Sequence, residues 1–205
     1  MKDSRVTVII PAYNAQDYIV RAVGSVAAQT YQNWEILIIE NGSSDHTTDI
    51  CEKIAAESDR IRLYHSEKGV SNARNLGLEH AGGKWVVFLD ADDWLEKEAL
   101  ESLVKAAEQA DADLVSAEYT YLRRQSGKTS IVKEKNNVEQ YLIQCLYNPT
   151  QKCNVTACLF RLEFIRRYNI QFDSSLSHAE DSVFLISILL ENPVIVSLDL
   201  SIYHV

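Results

Sequence analysis

Three carboxylates fall within four positions at Asp90, Asp92 and Asp93, directly after the apolar run Trp85-Val86-Val87-Phe88-Leu89. Five apolar residues are too few for a helix but suit a buried parallel strand. An Asp-x-Asp at the carboxyl end of such a strand lies where open α/β sheets bind their ligands. Carboxylates this close repel one another, and a hard divalent cation, magnesium or manganese, relieves the repulsion through oxygen ligands. The same residues have a plainer use: Asp92 or Asp93 can cap the helix that Lys97–Ala110 suggests. A second acidic pair, Glu180-Asp181, opens the apolar segment that ends at Leu190. There the helix macrodipole favours carboxylates whether or not they do chemistry.

Two further polar clusters follow short β-branched runs. Pro11-Ala12-Tyr13-Asn14 closes Val6–Ile10, and Glu40-Asn41-Gly42-Ser43-Ser44-Asp45 closes Trp34–Ile39. Each alone is ordinary turn chemistry. Three such clusters at three successive strand ends would converge on one cleft if the strands are parallel. No Gly-x-Gly-x-x-Gly and no Gly-Lys-Ser/Thr loop follows any strand, so both common phosphate-binding signatures are absent.

The elements that must position these clusters alternate in type. Gln16–Thr30 carries a helical apolar stripe at Ile19, Val20, Val23, Val26 and Ala27. Thr47–Ser58 reads as a helix, Ile61–His65 as a strand, Val70–Ala81 as a helix, and Gly82-Gly83 breaks the chain before the Trp85 strand. Alternating strands and helices imply right-handed crossovers and a mainly parallel sheet covered on both faces. The pattern then loosens into a helix at Glu96–Gln109, a strand at Asp113–Tyr121 and a basic turn at Arg123–Lys128 leading to Ile131-Val132. Helices at Val138–Leu146 and Asp181–Leu190 and a last strand at Val194–Leu198 complete the reading. The basic turn suits contact with anionic lipid or acceptor as well as plain solvation.

Twenty basic against twenty-nine acidic residues give a formal charge of −9, which argues against nucleic acid as the main partner. With 205 residues, 46% of them hydrophobic, the chain suits one globular domain. No signal-peptide core follows Met1 and no run approaches the ~18 apolar residues of a membrane span, so a cytoplasmic protein is expected. Cys51, Cys145, Cys153 and Cys158 lack zinc-ligand spacing and read as reduced thiols.

Taken in order, Val8–Asn14, Gln29-Thr30-Tyr31, Glu40–Asp45, Gly69–Gly77 (with Ala73-Arg74-Asn75 at its centre), Phe88–Trp94 and Ala179-Glu180-Asp181 resemble the motifs of the family 2 glycosyltransferases. The resemblance runs from residue 6 to about residue 186. It implies a GT-A fold over residues 1–205, with a nucleotide-binding half to about residue 95 and an acceptor half beyond it. It further implies inverting transfer of a sugar from a nucleotide-sugar, of the UDP type, to an acceptor hydroxyl. Pro11, Ala12 and Tyr13 would line the nucleobase with Glu40 and Asn41, while Arg74 would reach the base or the diphosphate. Asp90, with Ala91, would contact the ribose. Asp92 would hold manganese or magnesium, with His204 as a further metal ligand. Asp181 would be the general base, with Glu180 beside it. The acceptor would be a glycan or lipid-linked saccharide, met at the inner face of the membrane by peripheral association.

The chemistry agrees with these roles. A divalent cation stabilises the charge developing on a departing nucleoside diphosphate. The transition state has oxocarbenium character, and a weak hydroxyl nucleophile needs a carboxylate to take its proton. Two positions depart from the family pattern: Glu40-Asn41 stands where Asp-Asp is usual, and Ala179 where Gly commonly precedes Glu-Asp. Three other readings place carboxylates similarly: a phosphatase with Asp-x-Asp after a strand, a nucleotidyltransferase, and a catalytically silent nucleotide-sugar-binding subunit. The phosphatase normally carries its motif on the first strand, and the nucleotidyltransferase needs a Gly-rich basic loop that is missing here.

Overall fold

A computed structural model describes residues 4–120, 134–136, 138–147 and 155–205. The first half alternates strand and helix through β1 (Val6–Ala12), α1 (Ile19–Ala27), β2 (Trp34–Glu40), α2 (Thr47–Ala56), β3 (Ile61–His65), α3 (Val70–His80) and β4 (Trp85–Phe88). The second half comprises β5 (Trp94–Leu95), α4 (Ala99–Ala110), β6 (Leu114–Thr120), β7 (Glu134–Asn136), α5 (Val138–Tyr147), β8 (Cys158–Arg161), α6 (Leu162–Arg167), α7 (Glu180–Leu190) and β9 (Ile195–His204). The basic turn at 123–128, the 131–132 segment and Cys153 lie outside the described residues.

One sheet runs in the order β3-β2-β1-β4-β8-β6-β9-β5, with β7 on β9. Its first four strands are parallel. Beyond β4 it turns mixed, because β8 is antiparallel to both β4 and β6, while β6 and β9 are parallel. The expected strand at 194–198 runs on to His204, since β6 and β5 pair with its later residues.

Strands buried on both faces send alternate residues to two cores. Val6, Val8, Ile10, Ile36 and Ile38 meet α1, α2 and α4 on one side. Ile9, Leu37, Ile39, Val86 and Phe88 meet α3, α6 and α7 on the other. In α1 the buried positions Ile19, Ala22, Val23 and Val26 form one stripe. On the opposite face α3 lies directly on β1: a Cβ added at Gly77 would stand 2.4 Å from Ile9 Cγ2. Phe184 of α7 stacks on Phe172 at 4.0 Å, and both meet Phe88 edge-on, with centroids 5.9 and 5.2 Å away. Such pairs contribute about 0.5–1.5 kcal/mol each beyond area burial. They seat the amino end of α7 beside the end of β4.

Two buried groups are spent on the fold alone. Glu35, at the amino-terminal end of β2, accepts from Thr7 Oγ1 at 2.6 Å, Gly82 N–H at 2.9 Å and Arg62 at 2.6 Å, with Arg5 at 3.4 Å. Burial pushes its carboxyl up, but these donors outweigh burial and hold it below the ordinary glutamate value. Cys51 is free and buried; burial and the charges of Glu40 and Asp45 push its thiol up to about 12, which makes it inert.

Candidate functional site

Strand β1 has β2 on one side and β4 on the other, so the chain crosses over in opposite directions from it. A crevice opens at the carboxyl ends of the strands at such a switch point. A cavity of about 270 Å³ sits there, its wall including Pro11, Tyr13, Asn41, Asp90, Ala91 and Asp92. The structure thus brings together most of the expected donor-site residues; Ala12 is buried at the end of β1 behind them.

Side chains zip the loops around this cavity. Asn14 takes a left-handed φ of 48°, its N–H donates to Ser43 Oγ, and its Oδ1 accepts from Ser44 N–H at 2.9 Å. Lys68 donates to Tyr13 Oη at 2.7 Å, joining the loop after β1 to the loop before α3. Glu40 turns inward: Oε1 accepts from the backbone N–H of Gly42 and Ser43, at 3.0 and 2.6 Å, and Oε2 faces His65 Nδ1 at 3.2 Å. Burial raises its carboxyl, but those bonds prevail and hold it low. Glu40 therefore braces the loop, and Asn41 carries the chemistry into the cavity. Asn41 is 4% exposed, and its Oδ1 has no hydrogen-bond partner among the described residues. A buried acceptor left open costs roughly 1–3 kcal/mol, which a ligand N–H would return.

The acidic turn is closed by Asp93 N–H on Asp90 O at 3.1 Å. Asp92 is exposed and Asp90 half-buried, while Asp93 is buried beneath them. Burial, reinforced by the charges of Asp90 and Asp92, pushes the Asp93 carboxyl up to about 7, against the pull of a Tyr203 hydrogen bond and Arg21. No group of three or more His, Cys, Asp or Glu forms a metal cage among the described residues. The donor set nonetheless fits magnesium or manganese, which take one or two carboxylates and complete their shell with water and phosphate oxygens.

Arg74 of α3 is 5% exposed and binds two carboxylates at once: Nη1 donates to Glu180 Oε1 at 2.9 Å, and Nη2 to Asp90 Oδ1 at 3.1 Å. Its guanidinium also lies 5.3 Å from the Phe172 ring centroid. Arg74 thus bridges the acidic turn and α7. The two acidic residues of α7 divide accordingly. Glu180 is neutralised by Arg74, whereas the half-buried Asp181 has no cationic partner among the described residues and accepts only from Ser182, whose N–H is 2.7 Å away. Ala179 precedes them at φ 63°, where Cβ makes the left-handed conformation costly. His178 is exposed and faces Ser177 Oγ at 3.0 Å.

His204 sits across from Trp94 in the β5–β9 pairing. Its ring stacks on the indole at 4.8 Å, and Nε2 lies 2.5 Å from Glu96 Oε1. Sequence reasoning missed three neighbours of the acidic turn: Arg21, Trp94 and Tyr203. The Arg21 guanidinium lies 4.1 Å from the Trp94 ring centroid and donates to the Asp92 carbonyl. Tyr203 Oη accepts from Asp90 N–H at 3.0 Å. The available signal was the alternating apolar series Val196, Leu198, Leu200 and Ile202, which carries the strand past Leu198 to Tyr203. A larger cavity, about 580 Å³, lies on the far side of α3 between Asn72, Asn75 and Arg166, away from the acidic turn.

Known proteins share these features. Over 207 residues the chain is 30% identical to the glycosyltransferase EpsJ of Bacillus subtilis (strain 168), covering 97% of this chain and 60% of that one. The chain spans less than two thirds of the length of the curated relatives it matches. The fold matches Staphylococcus aureus TarS 1–349, crystallised with UDP, at a TM-score of 0.82 and 22% identity, over 98% of this chain and 60% of that one. It also matches the mannosyltransferase PcManGT of Pyrobaculum calidifontis, crystallised with GDP-Man and Mn2+, at 0.73 and 21% identity, over 100% of this chain and 57% of that one. Residues 7–168 match the profile described as Glycosyl transferase family 2, and with that match spanning most of its length, the chain belongs to this family.

Proposed function

We propose that this chain transfers a sugar, with inversion, from a uridine diphosphate donor to an acceptor hydroxyl on a growing surface glycan or lipid-linked saccharide. The observation that carries the reading is the Arg74 bridge, which ties Asp90 at the donor cavity to Glu180 beside an unneutralised Asp181. One buried cation thereby fixes the distance between the donor end and the proton acceptor, the geometry a two-substrate transfer requires. The open Asn41 Oδ1 calls for a ring N–H, which uracil carries at N3 and guanine at N1 but cytosine lacks, so uridine is chosen from the first two. The uridine nucleotide in the TarS complex agrees with that choice.

In the reaction, Tyr13 and Pro11 would flank the base, Asn41 would accept from it, and Asp90 would face the ribose. Asp92, with Asp90 near it, would hold manganese or magnesium, which neutralises charge on the departing diphosphate. Asp181 takes the proton from the acceptor hydroxyl as its oxygen attacks the anomeric carbon opposite the leaving group. The new C–O bond forms, the bond to the diphosphate breaks, and the nucleoside diphosphate departs. Glu180 stays ion-paired and keeps Asp181 in place. His204 enters this reading through Trp94 and Glu96. No helix among the described residues is long and apolar enough to cross a membrane; a cytoplasmic chain meeting a lipid-linked acceptor at the bilayer surface is part of the proposal.

Titration calorimetry with UDP and GDP, each with manganese or with chelator, tests the donor assignment. UDP should bind at least about tenfold more tightly than GDP and lose most of its affinity in chelator. Tighter GDP binding would reverse the base assignment, and equal UDP affinity in both conditions would remove the metal.

A further inference from the structure

The acidic turn is gripped from two sides by consecutive residues of one strand. Adjacent residues of a strand point to opposite faces, and at the end of β9 these are Tyr203 and His204. Tyr203 is fully buried; its hydroxyl accepts the Asp90 N–H at 3.0 Å and hydrogen-bonds the Asp93 carboxylate. His204 lies against Trp94 with the rings 4° from parallel and its Nε2 on Glu96, two and four residues beyond Asp92. Arg21 covers the same indole and holds the Asp92 carbonyl. Among the described residues, the Asp90 amide, the Asp93 carboxylate and the Trp94 plane that Arg21 shares are all met by the end of β9.

We infer that Tyr203 and His204 are positioning residues for Asp90 and Asp92, so that the end of β9 belongs to the donor site without touching the donor. Four acidic oxygens crowded at a strand end would splay apart unless fixed, and carboxylates left free to move lose the oriented geometry that a diphosphate–cation pair needs. Tyr203 fixes the turn from below through the Asp90 amide, and His204 fixes it from outside through the Trp94 plane. The inference rests on the proposed donor reading for its consequence but not for the clamp itself.

Two readouts separate these. Amide hydrogen exchange needs no nucleotide: in Tyr203→Phe, which keeps the ring and removes only the hydroxyl, the amides of Asp90 to Asp93 should exchange at least about tenfold faster, while those of Ile9 and Ile10 in β1 stay unchanged. UDP affinity with manganese, measured on the same samples, should fall about tenfold. His204→Ala should weaken UDP–manganese binding, and His204→Phe, which restores a ring on Trp94 but offers no nitrogen, should recover most of the loss. Unchanged exchange at residues 90–93 in Tyr203→Phe would overturn the clamp. Exchange that rises without loss of UDP affinity would overturn its role in binding. His204→Phe as weak as His204→Ala would also overturn the inference, since the imidazole nitrogen itself would then be needed. If the unaltered protein bound no UDP, the donor reading would fail while the exchange result still decided the clamp.

Discussion

Opposite ends of the same sheet carry acidic groups treated in opposite ways. At the amino-terminal end, Glu35 is surrounded by Thr7, Gly82, Arg5 and Arg62, so that every carboxylate oxygen is matched by protein donors. At the carboxyl end, Asp90, Asp92 and Asp93 share one turn, with Arg74 on Asp90 and the hydroxyl of Tyr203 on Asp93 as their main relief. Glu35 is held below its ordinary value and Asp93 is pushed above its own. A carboxylate satisfied by the protein reports on folding. A carboxylate left in surplus reports on what the protein expects to bind.

That contrast can be broken by separating activity from stability at the two ends. The largest expected effect is at Asp181. Asp181→Asn keeps shape and helix start but removes the proton acceptor, so turnover should drop by at least about 10²-fold with UDP affinity and melting temperature nearly unchanged. Turnover and melting curves on the same preparations check this; full turnover would move the base elsewhere, with His178 as the next candidate.

The reverse pattern is expected at Glu35. Glu35→Ala strands the Thr7 hydroxyl and the Gly82 amide and should cost about 2–3 kcal/mol in denaturant unfolding, with UDP affinity intact. Because the folded carboxyl titrates below the ordinary value of about 4.3, its contribution is present above that pH and disappears as pH falls through the folded value. Stability of the unaltered protein should therefore decline on acidification below about pH 4.3, and Glu35→Ala should show a shallower decline. An identical slope in both would mean that Glu35 is not differentially paired.

Asp92→Ala sharpens the other side of the contrast. Removing a surplus charge should leave the melting temperature unchanged or slightly higher, while UDP affinity in manganese falls about tenfold or more toward its value in chelator. A marked loss of stability would place Asp92 among the structural carboxylates, as the helix-capping reading had it. The smallest effect concerns Ala179. Ala179→Gly relieves about 1 kcal/mol of left-handed strain but frees the unfolded chain, for a net gain of roughly 0.5 kcal/mol in stability, read by the same unfolding curves.

The parallel half of the sheet was legible because β1, β2 and β4 are continuous apolar runs ended by polar clusters, and each cluster lies where its strand end predicts. The later elements were not. Strand β5 has two residues, and β8 passes from Cys158–Arg161 into α6 with no turn residue between them, so neither periodicity nor punctuation marks them. They take their form from neighbouring strands. Most residues expected on the donor side converge on one cavity, but the split between Glu40 and Asn41 depends on which side chain turns under the loop. The Arg74 bridge was not legible, because a sequence shows a cation without showing the two carboxylates it joins. Tyr203 was invisible for a related reason: its partners, the Asp90 amide and the Asp93 carboxylate, are about 110 residues away along the chain.

Gly77 couples the packing of α3 to the arrangement of the site. Its missing side chain lets α3 rest on Ile9, and Arg74 stands one turn earlier on that helix. A methyl group at position 77 would lift the helix and draw the guanidinium away from Asp90 and Glu180 together. Position 77 therefore governs the Arg74 bridge as well as the packing of α3, although it touches neither carboxylate.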